Sequence, residues 1–299
     1  KLLPDTAISM ELNKDKTRLN IIYGRSSSFI KTYAEQEYPE LPIANKKSIF
    51  SIEQKILKKA LRKTAFAVAA NHFRQVFTGV LFDIVDENTL KIIASDTHRL
   101  AYYIYSCPNA SLEPLDFIIP IRTVNELLRL LDETDEKINI SISDNNIVFS
   151  KGNFLLVSRL IEGKYPDYEK VIPKSFNTVV KVDSYTLLNT LERAKIMPSD
   201  EKLKIQHIEF YFNNQEAILT SYSELMGEIK EVIEEIEIEG NADLKISFNT
   251  NYLLDAVKLL ESESKQINIK LSDSLSPAML KNSKNEDYFC IIVPLRTTK

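Results

Sequence analysis

Four side chains that could act together in catalysis lie within five positions of the segment ASDTHRLAYY, residues 94–103. They are Ser95, Asp96, His98 and Arg99. Serine, histidine and aspartate form a nucleophilic relay when the histidine can accept the serine proton. If the segment is an extended strand, its side chains alternate between faces, so Ser95 and His98 point to opposite sides. This geometry, together with the lack of a G-x-S-x-G motif in the sequence, argues against a hydrolase.

Other interpretations of the segment remain open from these residues. An enzyme could still use Asp96 with His98 or His72 in a cleft. Alternatively, Asp96 and His98 form only local hydrogen bonds at the end of a strand. A third interpretation, in which the strand forms the wall of a binding groove, depends on a family resemblance given below.

The composition is that of a globular protein with two or three domains. The chain has 299 residues, of which 44% are hydrophobic and 27% are charged. No stretch of about eighteen apolar residues occurs, so we expect no membrane span and no membrane partner. The net charge of −4 gives no overall attraction to nucleic acid, although a local basic face would. The chain starts with lysine and not methionine, and we expect an N-terminal part to be missing.

The residues that usually build metal and cofactor sites are scarce. Cys107 and Cys290 lie far apart, which excludes a disulfide framework and a cysteine-based zinc site and suits a reducing cytoplasm. The three histidines are scattered, and the glycine-rich phosphate-binding motifs do not occur. We therefore expect no metal and no cofactor.

The chain contains an internal repeat. RLLDETDEKINISISD at 129–144 and KLLESESKQINIKLSD at 258–273 align without a gap and are identical at seven of sixteen positions. A period this long indicates a duplicated domain and not a solenoid unit. Residues 8–24 resemble 138–152, because both read as strand, polar turn, strand and glycine, and both lead on to a Tyr-Pro pair. Residues 1–47 therefore correspond to the end of a further copy, of which roughly eighty residues would be missing.

Each copy is predicted to combine two helices with mostly antiparallel strands. The spacing of apolar residues predicts helices over 52–70 and 122–133. Strands are predicted at 78–84, 88–95 and 99–105. The predicted fold class is therefore α+β, with tandem copies in which two helices pack on antiparallel sheets: two complete copies plus the end of a third.

Four motifs in these copies together resemble the bacterial DNA polymerase III beta subunits, the sliding clamp family. The motifs are TGVLFDI, SDTHRLA, GKYPDY followed by VIP, and the terminal IIVPLR, in this order along the whole chain. The resemblance implies a non-catalytic ring of two subunits, each with three like domains, which encircles duplex DNA and tethers polymerases. The implied clamp domains are the end of domain 1 at 1–47, domain 2 at 48–173 and domain 3 at 174–299.

Two positions depart from the pattern of the family. Family members usually have glycine at the position of Thr97 and often have arginine at that of Lys170. Because a β-branched residue tolerates a positive φ poorly, we expect the local strand geometry to differ at Thr97.

The resemblance also implies a site for short peptides from partner proteins, between domains 2 and 3. The implied pocket residues are Phe77, Thr97, His98, Arg99, Leu100, Pro166, Lys170, Val171, Asn249, Tyr252, Ile291, Val293, Pro294, Leu295 and Arg296. The apolar members would bury a leucine or phenylalanine of the partner. Arg99, Arg296 and His98 would donate hydrogen bonds to the peptide backbone.

The helix predicted over 52–70 carries five cations and one acid, although the chain as a whole is acidic. A solvated helix face explains most such runs of charge. The resemblance implies instead that such helices line the hole of the ring and meet DNA phosphates without reading bases. The implied DNA-facing residues are Lys55, Lys58, Lys59, Arg62, Lys63, Arg122, Arg129 and Arg193.

The segment EIKEVIEEIEIEG, residues 228–240, is predicted to be one acidic strand. Its charge could protect a sheet edge against aggregation. It could also meet the basic end of the first domain of a second subunit, where opposite charges would fix the register. The implied seam residues are Arg25, Phe29, Ile30, Lys31, Glu228, Glu231 and Glu234. We expect a homodimer for the full-length protein and weak ring closure if its first part is missing.

The implied partners are double-stranded DNA without sequence specificity and a set of proteins that dock through short peptide motifs. These proteins are the DNA polymerase III catalytic subunit, the clamp loader, translesion polymerases and mismatch-repair proteins. The expected location is the cytoplasm. One alternative stays open: a clamp-like scaffold that binds peptides but no longer encircles DNA.

Overall fold

The computed structural model describes residues 5–33, 46–107, 112–198, 205–213 and 216–296. The chain divides into two units, Lys1–Ala44 and Asn45–Lys299. The Tyr-Pro pair at 38–39 and the last three residues of the chain lie outside the described residues.

The first unit contains a three-stranded antiparallel sheet. Its strands are β1 (Ile8–Leu12), β2 (Arg18–Tyr23) and β3 (Ser26–Lys31), in the order β1-β2-β3. Two tight turns connect them, with positive φ at Lys16 (54°) and Gly24 (58°). β1 and β3 are therefore both edge strands within this sheet.

The second unit contains two copies of one α+β arrangement. The first copy consists of β4 (Lys47–Glu53), α1 (Gln54–Thr64), β5 (Gly79–Asp86), β6 (Thr89–Ser95), β7 (Arg99–Ser106), β8 (Leu115–Pro120), α2 (Ile121–Leu130), β9 (Lys137–Ser143), β10 (Asn146–Lys151) and β11 (Phe154–Arg159). The second copy consists of β12 (Thr178–Asp183), α3 (Ser184–Ala194), β13 (His207–Phe212), β14 (Ala217–Ser223), β15 (Gly227–Ile233), β16 (Ile236–Gly240), β17 (Leu244–Asn249), α4 (Thr250–Glu261), β18 (Gln266–Leu271), β19 (Ala278–Asn282) and β20 (Tyr288–Ile292).

The two copies share one strand order. The first copy has the orders β7-β6-β5-β8 and β11-β10-β9-β4, and the second has β15-β14-β13-β17 and β20-β19-β18-β12. Each order places corresponding elements of the repeat at corresponding positions, and only β16 has no counterpart. The prediction of tandem α+β copies with two helices each on antiparallel sheets is confirmed.

One strand pair joins the copies. β20 pairs antiparallel with β7, from Tyr288 opposite Tyr103 to Ile292 opposite Arg99. This pairing produces a nine-stranded sheet, β16-β12-β18-β19-β20-β7-β6-β5-β8. The joined strands are buried on both faces, which explains why they read as continuous apolar runs and do not alternate with polar residues.

Alternate residues of these strands enter two different cores. In β7, Ala101 belongs to the large core that holds the helices, and Leu100 belongs to a smaller core on the opposite face of the sheet. In β20, Ile292 and Ile291 divide in the same way. The chain between β11 and β12 covers this smaller core with Tyr165.

The first helix is shorter than predicted. α1 covers Gln54–Thr64 and continues as a short 3-10 turn, Ala65–Ala67, while the preceding residues form β4. Phe50 and Ile52 are buried at a spacing of two, which is the period of a strand. The helical interpretation of 52–53 was wrong because Ile52 suits both periods, and pairing with β9 decides between them.

The acidic segment at 228–240 was wrongly predicted to be one strand. It forms two strands that belong to different sheets and are separated at Glu234 and Glu235. β15 is the edge of a four-stranded sheet, and β16 is the edge of the nine-stranded sheet.

The segment at 94–103 is likewise not a single strand, because it turns between β6 and β7. Asp96 accepts backbone N–H groups from His98 and Arg99, each at 3.0 Å. The Ser95 hydroxyl accepts the backbone N–H of Thr97 at 3.1 Å and donates to the Arg99 carbonyl at 2.7 Å. Face alternation therefore does not apply here, and Ser95 is engaged with the backbone of its own turn.

Thr97 occupies the left-handed region with φ at 77°. Threonine therefore adopts a positive φ that glycine adopts at lower steric cost, and a difference in local geometry from other members of the family stays a prediction. The side-chain and backbone hydrogen bonds on both sides of Thr97 hold this conformation against its steric cost.

Lys63 lies in the interior at the boundary between the copies, with 3% of its surface exposed. Its ammonium pairs with Glu263 and lies 4.4 Å from the ring centre of Tyr288. Burial lowers the pKa of Lys63. Burial also opposes ionisation of Glu263, but the hydrogen bonds and charges of Lys63 and Lys59 outweigh it and lower the pKa of that carboxyl.

We expect Glu263→Gln to lower the free energy of unfolding by about 1–3 kcal/mol, because it leaves a buried ammonium without its counter-charge. Urea unfolding measures this change. Glu261→Gln, at the last residue of α4 and two positions before Glu263, is the matched control. Glu263→Gln combined with Lys63→Met should lose less than Glu263→Gln alone. Since the pKa of Glu263 is lowered in the fold, its contribution exists above the ordinary glutamate pKa and disappears as the pH falls through the lowered value. Equal effects of the two Glu→Gln variants would contradict this role.

We expect Thr97→Gly to raise the free energy of unfolding by about 1 kcal/mol, because glycine adopts a positive φ without steric cost. Thr97→Ala keeps the Cβ atom and should bring no comparable gain. Thermal or urea unfolding of the two variants distinguishes backbone strain from loss of side-chain contacts, and equal gains would refute strain as the cause.

Candidate functional site

A cavity of about 160 Å³ lies where the two copies of the second unit meet. Its lining residues are Phe77, Ser95, Thr97, Arg99, Leu100, Tyr165, Pro166, Asp167, Tyr168, Val171, Ile291 and Val293. Most of these side chains are apolar or aromatic, and the polar groups are few. A partly open apolar site of this kind suits an aliphatic or aromatic side chain of a ligand.

Four parts of the chain build the walls. Phe77 comes from the 3-10 turn before β5, and Leu100 comes from the start of β7. The segment between β11 and β12 supplies Tyr165 to Val171, and the end of β20 supplies Ile291. Leu100 and Ile291 lie directly opposite each other across the β7–β20 pair, so the cavity depends on the joining of the two copies.

Of the fifteen predicted pocket residues, eight line this cavity. They are Phe77, Thr97, Arg99, Leu100, Pro166, Val171, Ile291 and Val293. The sequence analysis missed Ser95, Tyr165, Asp167 and Tyr168. Each of them lies inside a motif that it did identify, SDTHRLA or GKYPDY, so the whole motif was a better guide than single matched positions.

The other seven predicted residues lie outside this cavity. Leu295 and Arg296 line a second, more polar cavity of about 800 Å³ on the sheet that contains β13 and β17. The chain that follows β20 separates the two cavities, since the backbone N–H of Val293 donates to His98 and that of Leu295 donates to Ser247. Pro294, between them, lines neither cavity.

Four of these seven residues make local contacts around the cavity: His98, Asn249, Tyr252 and Lys170. Asn249 caps α4 by accepting the backbone N–H groups of Asn251 and Tyr252. The rings of His98 and Tyr252 stack with centroids 6.2 Å apart. Lys170 is exposed and pairs with Asp167 at 3.2 Å.

Arg99 cross-links the copies, and each of its three guanidinium nitrogens donates one hydrogen bond within the fold. Its guanidinium donates to Asp96 at 3.0 Å, to Asp255 of α4 at 2.7 Å and to the carbonyl of Phe66 at 2.6 Å. It also lies 4.5 Å from the ring centre of Tyr252. Three of the five guanidinium N–H donors of Arg99 thus hold the copy boundary, and a hydrogen bond from Arg99 to a peptide backbone stays a prediction.

The polar groups behind the cavity are held in place by burial and pairing. Tyr168 donates its hydroxyl to Asp83, and burial followed by this hydrogen bond raises the pKa of Tyr168. Lys91 pairs with Glu169, which holds the pKa of Lys91 above its usual value although burial opposes this. The Tyr165 hydroxyl is buried without a well-formed hydrogen bond, and burial raises its pKa. The tyrosines therefore stay neutral at physiological pH, and their hydroxyl groups add no charge to the cavity.

The predicted DNA-facing cations of α1 are paired with acids. Lys55 contacts Glu53 and Asp135. Lys59 pairs with Glu263 at 3.1 Å. The expectation of DNA contact does not hold for Lys63, whose ammonium is buried.

The remaining predicted DNA-facing residues differ in exposure. Lys58 is mostly covered and donates to the carbonyl of Leu131 at 2.7 Å. Arg62 is exposed and pairs with Glu133 at 3.1 Å. Arg122 is exposed, as is Arg129, which pairs with Glu126 on its own helix.

Arg193 of α3 and Glu231 of β15, predicted for two different surfaces, bind each other. Two hydrogen bonds of 2.9 and 2.6 Å join the guanidinium to the carboxylate. This pair lowers the pKa of Glu231, with burial acting weakly against it. The other predicted seam residues of the second unit, Glu228 and Glu234, are exposed.

The predicted seam residues of the first unit lie on or next to its edge strand β3. Arg25 and Lys31 are exposed at its ends, and Phe29 and Ile30 expose about half of their surface. The guanidinium of Arg18 covers one face of Phe29 at 3.7 Å.

Within the described ranges, no helix is long and apolar enough to cross a membrane. In the same part of the chain, no three side chains among His, Cys, Asp and Glu come together as a possible metal site.

Known proteins match this chain over nearly its whole length. A model of the central domain of the DNA polymerase III beta subunit matches residues 51–167, and a model of its C-terminal domain matches residues 169–296. The beta sliding clamp of Halalkalibacterium halodurans is 33% identical over 299 residues, which cover 99% of this chain and 77% of that protein.

Solved structures agree with the sequence matches. The DNA polymerase III subunit beta from Pseudomonas aeruginosa superposes with a TM-score of 0.90 at 29% identity, covering 99% of this chain and 79% of that one. The DNA polymerase sliding clamp from Bacillus subtilis gives a TM-score of 0.91 at 27% identity, covering 99% and 77%. With two domain models matched in order over most of its length, the chain belongs to the DNA polymerase III beta subunit family, the sliding clamps, which are non-catalytic processivity factors.

Proposed function

We propose that the chain is a sliding clamp subunit that encircles duplex DNA as a head-to-tail dimeric ring and tethers polymerases through the cavity between its two complete copies. The observation that carries the proposal is the apolar cavity itself, which exists only where β7 and β20 join the copies. A clamp needs such a site because it must hold its partners without reacting with them.

The cavity suits one or two apolar side chains of a docked peptide. A cavity of about 150 Å³ holds a ring the size of benzene, and this cavity has a volume of about 160 Å³. Burial of one leucine or phenylalanine contributes about 1.5–3 kcal/mol. Pro166 and the ion pairs of Arg99 hold the walls before the ligand arrives, which limits the entropy lost on binding.

We propose that the proteins that dock here are the DNA polymerase III catalytic subunit, the clamp loader, translesion polymerases and mismatch-repair proteins. Docking at the same cavity would make these proteins compete for each chain, so that they act in turn on one clamp. The proposed location is the cytoplasm, where bacterial DNA is replicated.

The repeat supports a specific subunit seam. β15 holds the position in its sheet that β7 holds in the first copy, and β7 is the strand that pairs with β20. β3 is the last strand of its sheet, as β20 is in the second copy. We therefore propose that β3 of one subunit pairs with β15 of another in the way that β20 pairs with β7. Arg25 and Lys31 would then face an edge that carries Glu228.

Contact with DNA is proposed for the exposed cations of α1. Lys55, Lys59 and Arg62 remain accessible despite their ion pairs, and such surface pairs hold their charges weakly. Loose contact with phosphates is what a sliding ring requires, because tight base contacts would stop it. The pairing of every α1 cation with an acid favours a second candidate, a clamp-like scaffold that binds peptides without encircling DNA.

We expect Val293→Asp to abolish binding of a labelled peptide rich in Gln, Leu and Phe, because it places a charge in the apolar cavity. Leu295→Asp should weaken binding less, since Leu295 lines the second cavity. Fluorescence anisotropy measures both affinities. Val85→Asp is the control, because Val85 is similarly exposed at the end of β5 and away from the cavity. Unchanged affinity in Val293→Asp would remove the cavity from the proposal.

We expect the triple variant Lys55→Glu, Lys59→Glu and Arg62→Glu to be retained on nicked circular DNA at least about tenfold less than the wild-type protein. Retention of the wild-type protein should depend steeply on the salt concentration. Retention is measured by gel filtration after loading onto the circle. The control variant changes Lys47 of β4, Arg159 of β11 and Lys284, between β19 and β20, to Glu. It alters the net charge by the same amount at positions outside α1.

Linearisation of the circular DNA distinguishes the ring from the scaffold, because a ring that encircles DNA slides off its free ends. Release of the wild-type protein by linearisation would support encirclement. No retention on the intact circle, together with normal peptide binding, would favour the scaffold.

A further inference from the structure

Phe73 is an apolar side chain that is almost fully exposed to solvent. It exposes 89% of its surface, although it lies in the short segment that leads to the cavity residue Phe77. A single exposed apolar side chain is common on protein surfaces. Phe73 differs from such isolated residues because a row of rings connects it to the apolar cavity.

A continuous row of rings joins Phe73 to the interior of the cavity. Phe73 stacks on His72 with centroids 4.5 Å apart, and His72 meets the edge of Phe77 at 4.7 Å. Phe77 in turn meets the edge of Tyr165 at 5.6 Å, and both line the cavity. The backbone N–H of Arg74 donates to Nδ1 of His72 at 3.0 Å, which fixes the imidazole between its two neighbours. The row is therefore ordered before any ligand binds.

The spacing of the row matches that of an extended peptide. The two ring contacts place the ring centre of Phe73 no more than about 9 Å from the ring centre of Phe77. In an extended chain, residues two positions apart point to the same side and lie about 7 Å apart. A peptide with one apolar side chain in the cavity can therefore place a second one on Phe73.

We propose that Phe73, held by His72, is a second contact point that selects partner peptides with an aromatic side chain two positions from the residue in the cavity. This inference rests on the proposed function of the cavity as a peptide site. Aromatic pairs prefer offset or edge-to-face contact, and the outer face of Phe73 is open to it.

The test compares labelled nine-residue peptides that share a central leucine and carry either phenylalanine or serine two positions before or after it. For the wild-type protein, fluorescence anisotropy should show about two- to tenfold tighter binding when phenylalanine occupies one of these two positions. Phe73→Ser should remove this gain and leave the affinity for the serine peptides unchanged. Phe73→Tyr keeps the ring and should keep the gain.

Tyr185→Ser, an exposed aromatic change on α3, is the matched control and should alter neither affinity. A gain that persists in Phe73→Ser, or equal weakening of all peptides, would overturn the inference while the cavity remains a peptide site. No binding of any peptide to the wild-type protein would overturn the proposed function and the inference with it.

Discussion

The pairing of β7 with β20 is the contact on which the rest of the second unit depends. It joins two copies of one domain into a nine-stranded sheet and brings Leu100 and Ile291 side by side. Backbone hydrogen bonds set the alignment, and burial on both faces stabilises it. The cavity and the smaller core around it would not exist if the two copies folded without meeting.

Two groups of charges reinforce this boundary from the side of the helices. Arg99 reaches from the first copy to Asp255 of the second, and Lys63 reaches to Glu263. A buried pair adds little to stability relative to apolar residues, but removing Glu263 would leave the buried ammonium of Lys63 without its counter-charge. Residues that looked like ligand donors or DNA contacts in the sequence are in this way part of the architecture. These charged groups hold elements of the fold in place, which agrees with membership of a family of non-catalytic clamps.

Duplication also explains why the chain has edges suited to further pairing. In the first copy, β7 pairs with β20 of the second copy. In the second copy, β15 holds the position equivalent to β7 and is the edge of its sheet. An exposed edge strand can pair with another chain, and its charges can favour an oppositely charged partner. The pairing proposed for β3 and β15 would use between subunits the strand geometry that joins β7 and β20 within one chain.

The sequence by itself determined the duplicated α+β domain, the positions of β5, β6 and β7, and the family. These follow from local periodicity and from motifs whose order along the chain is fixed. It also placed eight cavity residues, six of them because SDTHRLA, GKYPDY and IIVPLR each keep a wall of the site within one short segment. Only the tertiary structure decided that Ile52 is in a strand, that Lys63 is buried and that Arg99 donates to Asp255. Each of these depends on a partner distant in sequence, such as β9, Glu263 or Asp255, and no local pattern records which distant groups a side chain will meet.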